Sequence, residues 1–176
     1  EKFKKAASYI QDITELKPTV GIILGTGLGG LVNEIEIQHE IAYGDIPHFP
    51  VSTVKGHSGR LIFGNLGGKS VVAMQGRFHY YEGYSLQEVT FPVRVMKFLG
   101  IKNLFVSNAS GGVNEAFEIG EIMILNDHID LFPGNPLIGK NYEELGPRFP
   151  DMSEPYSHLL IEKATEIASK HNIKIS

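Results

Sequence analysis

Three side chains with complementary chemistry follow an apolar run in the segment QGRFHYYEGY, residues 75–84. Arg77, His79 and Tyr81 alternate along the chain, and alternate residues of an extended segment point to the same side. Arginine binds phosphate oxygens in pairs, histidine exchanges a proton near neutral pH, and tyrosine offers a flat ring with a hydroxyl. This pattern favours a binding site for a phosphate and a sugar over a network of polar side chains at the rim of a sheet.

A glycine-rich segment, GTGLGG at residues 25–30, follows the short apolar run TVGIILG. Glycines let backbone amides approach an anion closely, and Thr26 adds a hydroxyl donor. The segment lacks the clear helix and the acidic residue that complete a dinucleotide-binding motif, and it lacks the lysine of a P-loop. It therefore fits a tight turn as well as it fits an anion-binding loop.

A second histidine, His57, lies in the segment KGHSGRL, just before a predicted strand. The neighbouring glycines leave its ring free to approach a ligand, although a lone loop histidine is more often simply exposed to solvent. Arg60 enters the strand, where a surface ion pair is expected.

The composition indicates an ordinary globular protein. The 176 residues predict a single domain, with 42% hydrophobic and 20% charged residues. A formal net charge of −4 argues against general attraction to nucleic acid or to anionic membranes. No cysteine is present, which excludes disulfides and thiolate metal sites, and no signal peptide or long apolar span is visible. A cytoplasmic enzyme is expected.

Strand and helix patterns alternate along the chain, which predicts an α/β fold with a mixed sheet sandwiched by helices. Helices are predicted at 2–13, at 85–100 after the N-cap Ser85, and at 153–172. Strands are predicted at 19–25, 34–44, 103–110 and 120–131, together with a hairpin at 60–76 that turns at Gly67–Gly68. A last strand is expected to begin at residue 173, so the single domain over 1–176 is expected to be incomplete at its C-terminus.

Six blocks occur in the order typical of trimeric purine nucleoside phosphorylases, a family that the chain resembles from about Val20 to Tyr156. They are GIILGTGLGGL, FPVSTVKGHSGRL, QGRFHYYEGY, TFPVRV, SNASGGVN and RFPDMS. The resemblance implies phosphorolysis, in which phosphate attacks the anomeric carbon of a purine nucleoside and releases the free purine and ribose 1-phosphate. It also implies a homotrimer, with no metal or organic cofactor because inorganic phosphate is the co-substrate.

The resemblance assigns roles residue by residue. It implies that phosphate is bound by Thr26, His57, Arg77, His79 and the backbone amide of Ala109. Of these, Arg77, His79 and His57 are implied as catalytic. The ribose and nucleoside contacts are implied at Tyr81, Ser110, Gly111 and Phe149, the last inserted from a neighbouring subunit. Glu82 is left with two interpretations, either tuning His79 or facing solvent.

The family residues that recognise the purine base lie beyond Ser176, so no base preference is predicted, and a product of only 176 residues is expected to be inactive. Two alternatives stay open: a 5′-methylthioadenosine phosphorylase, which shares the GTG loop, and a phosphate- or nucleoside-binding module without turnover. A Rossmann-type NAD protein is disfavoured because the acidic ribose partner is absent.

Overall fold

The computed structural model describes residues 1–25, 27–51 and 59–176. These residues form two compact units. The first comprises residues 1–109 with 134–138, and the second comprises residues 110–133 with 139–176. In the part of the chain that is described, no helix combines the length and the apolar character needed to cross a membrane.

The first unit is built on a five-stranded mixed sheet with strand order β2-β3-β4-β1-β5. The strands are β1 (Val20–Ile23), β2 (Glu36–Ala42), β3 (Arg60–Leu66), β4 (Lys69–Gln75) and β5 (Asn103–Val106). β1 runs parallel to both β4 and β5, whereas β2, β3 and β4 are antiparallel. Gly67 and Gly68, both with positive φ, form the predicted hairpin turn between β3 and β4. The predicted mixed α/β fold is confirmed.

Two helices cover one face of this sheet. Helix α1 (Lys2–Ile13) matches the helix predicted at 2–13 and places Phe3, Ala6, Ala7 and Ile10 in the core. Helix α2 (Leu86–Leu99) begins with a capping box between Ser85 and Glu88 and runs through Pro92 without a break. On the other face, Val32 of the 3₁₀ segment Gly29–Glu34 joins Ile35 and apolar strand residues in a smaller cluster.

The second unit contains helix α3 (His158–Lys170), which Ser157 caps, but the strand predicted at 120–131 is not formed. A parallel bridge joins Ile122 to Ile175, and the backbone N–H of Ile124 donates to the carbonyl of Ser176 at 2.8 Å. No regular strand ladder extends along 120–131 in the described residues. The apolar run at 120–131 was therefore wrongly predicted as a strand within the described residues.

Candidate functional site

Three chain segments leave the sheet at the same end, because the parallel strands β1, β4 and β5 all finish there. Ile23 is in register with Met74 of β4 and with Val106 of β5. Gly25 and Arg77 lie two residues after the ends of β1 and β4, and Ser107 directly follows β5. The carboxyl end of parallel strands is where α/β proteins commonly place ligand sites. The start of the predicted glycine segment and the predicted arginine therefore lie at the same end of the sheet.

Ser107 fastens the start of the glycine segment to β5. Its hydroxyl accepts a hydrogen bond from the backbone N–H of Gly25 at 3.1 Å and donates to the carbonyl of Ile23 at 3.3 Å. Its own backbone N–H donates to the same Ile23 carbonyl at 3.0 Å. A Cβ on Gly25 would lie 2.5 Å from the Ser107 carbonyl oxygen, so this close approach requires glycine.

Arg77 is fixed by two neighbours. Its Nη1 donates to the backbone carbonyl of Ser107 at 2.9 Å, and its Nε donates to Nε2 of His79 at 3.0 Å. These contacts use two of the five N–H donors of a guanidinium. Within the described residues, the group is partly buried and oriented, and it keeps donors for an anion.

His79 is held between Arg77 and Glu82. Because arginine only donates hydrogen bonds, Nε2 of His79 must act as an acceptor here, and Nδ1 carries the proton. That proton points to Oε1 of Glu82, 2.6 Å from Nδ1, and both side chains are only about one-fifth exposed (21% and 22%). Glu82 therefore contacts His79 and does not merely face solvent, and the tuning of His79 by Glu82 stays a prediction.

Tyr81 contacts His79 by stacking. The ring centroids lie 4.8 Å apart with an interplanar angle of 21°, and Tyr81 is otherwise exposed. The predicted grouping of Arg77, His79 and Tyr81 is therefore observed, but the predicted extended chain is not. Residues Tyr80–Glu82 form a 3₁₀ turn, in which residues three apart face each other, and this turn brings Glu82 back to His79.

A buried tyrosine supports the start of the same segment. The hydroxyl of Tyr43 donates to the carbonyl of Gly76 at 2.6 Å, directly before Arg77, while its backbone N–H donates to the carbonyl of Gly59 at 3.0 Å. Burial raises the pKa of Tyr43, so its hydroxyl stays protonated and remains a donor. This role could not be predicted from the sequence, because a tyrosine in AYG resembles any core aromatic residue.

The remaining predicted site residues are described one by one. Ala109 is exposed and follows β5, with its carbonyl accepting from the side-chain amide of Asn108 at 3.3 Å. Ser110, Gly111 and Phe149 belong to the second unit, and all are exposed. Thr26 and His57 lie outside the described residues. The ligand contacts assigned to all of these residues stay predictions.

Metal-binding geometry is not found in the described residues, where no group of three or more His, Cys, Asp or Glu side chains could hold an ion. The neighbouring Asp127 and Asp130 instead accept hydrogen bonds from nearby backbone N–H groups, and His128 lies 3.2 Å from the hydroxyl of Tyr156. The polar groups that converge in the first unit are an arginine, a histidine and a glutamate, a set suited to an oxyanion.

Comparison with known proteins agrees with this chemistry. Residues 19–176 match the family described as the phosphorylase superfamily. The chain belongs to that superfamily. Purine nucleoside phosphorylase 1 of Geobacillus stearothermophilus is 55% identical over 172 residues, which cover 98% of this chain and 63% of that protein. The purine nucleoside phosphorylase of Bos taurus is 51% identical over 167 residues, covering 93% and 58%.

Solved phosphorylases share the fold. The crystal structure of isoform 2 of purine nucleoside phosphorylase from Schistosoma mansoni, in complex with cytosine and ribose-1-phosphate, superimposes with a TM-score of 0.91 at 46% identity. The match covers 97% of this chain and 61% of that one. The chain thus spans about three-fifths of the length of the relatives it matches. The resemblance to purine nucleoside phosphorylases inferred from the sequence blocks is confirmed.

Proposed function

We propose that the protein carrying this chain is a purine nucleoside phosphorylase. It cleaves the glycosidic bond of purine ribonucleosides or deoxyribonucleosides with inorganic phosphate and releases the free purine and the sugar 1-phosphate. The observation that carries the proposal is the oriented pair of Arg77 and His79, with Glu82 behind it, at the carboxyl end of the parallel strands. The names of the relatives support the same assignment.

Phosphate binds through charge and through directed donors. Arg77 supplies a fixed positive charge, and Thr26, His57 and the amide of Ala109 complete the site. Nε2 of His79 carries a lone pair in the observed arrangement, so it can take a proton from dihydrogen phosphate once the anion replaces its contact with Nε of Arg77. Glu82 then stabilises the imidazolium that forms. The resulting phosphate dianion is the better nucleophile, and its charge stabilises the oxocarbenium-like sugar of the transition state.

The nucleoside lies on the aromatic side of the site. Tyr81, stacked on His79 and largely exposed, presents its ring and hydroxyl to the ribose. Ser110 and Gly111 contact the nucleoside, and Phe149, 87% exposed, covers the ribose of a neighbouring subunit. The active form is accordingly a homotrimer, cytoplasmic, without a metal or organic cofactor, and serves purine salvage.

The experiment measures hypoxanthine release from inosine by the natural protein, with and without inorganic phosphate. Arg77→Lys keeps the charge but loses the planar fork, and we expect kcat/KM for phosphate to fall about tenfold to hundredfold. Arg60→Lys is the matched control, because Arg60 forms an exposed ion pair with Glu40. Base release without phosphate, or equal effects of the two substitutions, would refute the proposal. Turnover of 5′-methylthioadenosine in preference to inosine would reassign the substrate.

A further inference from the structure

One residue outside the predicted set contacts both segments that bear predicted phosphate ligands. Ser107 bonds Gly25, 82 residues away in sequence, and Arg77, 30 residues away. Gly25 directly precedes Thr26. Ser107 also opens the SNASGG block and lies two residues before Ala109.

The two contacts use different parts of Ser107, so they can be separated. The bond to Gly25 uses the side-chain hydroxyl, whose second bond, to Ile23, fixes the direction in which its lone pair points. The bond to Arg77 uses the backbone carbonyl, which any residue at this position would keep. An alanine would therefore release the start of the glycine segment and leave the guanidinium anchored.

We propose that Ser107 is a positioning residue for the phosphate co-substrate, holding the start of the glycine segment at a fixed place relative to Arg77. This inference rests on the proposed function. Ligands contributed by separate loops bind an anion well only when their spacing is set in advance, because otherwise binding must also order the loops. The role of Ser107 is thus expected to appear in phosphate affinity, with little effect on the nucleoside.

The test compares Ser107→Ala with Ser107→Thr and with Ser107→Cys in the natural protein. The control is Ser70→Ala on β4, which removes a buried hydroxyl that has no hydrogen-bond partner among the described residues. Phosphorolysis of inosine is followed with phosphate or inosine varied. Binding of inorganic phosphate alone is measured in parallel by calorimetry.

We expect Ser107→Ala to raise the phosphate KM and the phosphate Kd about tenfold, the effect of losing a positioning hydrogen bond. The inosine KM and kcat should change less than about threefold, since the anchored Arg77 is retained. Threonine should restore phosphate affinity because it keeps the hydroxyl. Cysteine, a weak hydrogen-bonding group of similar size, should give a phosphate KM between those of the natural protein and the alanine variant. If the alanine variant does not fold, the phosphate KM of the cysteine variant tests the inference.

Three results would overturn the inference: an unchanged phosphate KM in the alanine or cysteine variant, a fall in kcat alone, or no recovery with threonine. Failure of the proposed function gives a different pattern. A natural protein that binds phosphate without cleaving inosine refutes phosphorolysis, and the phosphate Kd of the variants still decides the role of Ser107. A natural protein that neither binds phosphate nor cleaves inosine overturns both.

Discussion

Replacement of Glu82 tests the proposed site most directly, because this carboxylate accepts a hydrogen bond from Nδ1 of His79. The hydrogen bond from Nδ1 of His79 to Glu82 is 2.6 Å long and only about one-fifth exposed at each end. A hydrogen bond to a charged group contributes about 1.5–3 kcal/mol. If all of it acts on the orientation and charge of the imidazole in the phosphate complex, Glu82→Ala should weaken phosphate binding roughly tenfold to hundredfold.

Glu82→Gln separates charge from geometry. The amide oxygen can still accept the Nδ1 proton, so the tautomer of His79 is kept, and about 1 kcal/mol is lost, equivalent to roughly fivefold in phosphate KM. The assay is initial-rate phosphorolysis of inosine at neutral pH with phosphate varied. Glu40→Gln is the control, because Glu40 forms an ion pair of similar length with Arg60 that is 41% and 37% exposed.

The reasoning on Glu82 is refuted if Glu82→Ala leaves the phosphate KM within about twofold of the natural value. It is also refuted if Glu40→Gln has as large an effect as Glu82→Gln, since the loss would then reflect net charge alone. An increase confined to the inosine KM would move the role of Glu82 from the phosphate to the sugar.

Three further predictions concern stability. Tyr43→Phe removes the hydrogen bond to the Gly76 carbonyl and should lower the free energy of unfolding by about 1–3 kcal/mol. Tyr84→Phe, which removes an exposed hydrogen bond from the same aromatic cluster, should lower it by less than about 1 kcal/mol. Equal losses in urea unfolding would contradict this. Ser70→Ala removes a buried hydroxyl without a partner among the described residues, so thermal unfolding should shift upward or stay unchanged, and a clear drop in Tm would show an overlooked bond. Hydrogen bonds from Ser85 lower the pKa of Glu88, so the stability that Glu88 adds is full above the usual glutamate pKa and is lost as pH falls through the lowered value. Glu88→Gln should therefore differ from the natural protein near neutral pH and converge with it in acid, as urea unfolding at several pH values would show.

The sequence determined the elements whose signals are local. The helical spacing of the apolar residues in 2–13 predicts α1, and the N-cap Ser85 marks the start of α2. Two glycines in series predict the turn between β3 and β4. These patterns depend only on neighbours a few residues away, so they can be recognised before any tertiary contact is known.

Local sequence patterns were insufficient to predict strands, because a strand forms only when another segment pairs with it. The apolar run at 120–131 has strand composition, but within the described residues only Ile122 has a bridge partner, Ile175. Strand formation depends on a distant segment offering hydrogen bonds, which composition does not encode. The two interpretations of Glu82 were left open for a different reason: an extended chain was expected at residues 77–81, whereas the 3₁₀ turn at Tyr80–Glu82 brings Glu82 back to His79.

The sequence by itself supplied the chemistry of the site, an arginine and a histidine two residues apart after an apolar run, with a glycine segment elsewhere. The tertiary structure decided that these belong together. The position of β1 between β4 and β5 brings Gly25, Arg77 and Ser107 to one end of the sheet, although up to 82 residues separate them along the chain. The physical reason is that strand order and register arise from hydrogen bonding and core packing among distant segments. Ser107 acquires its contacts only once those segments have met.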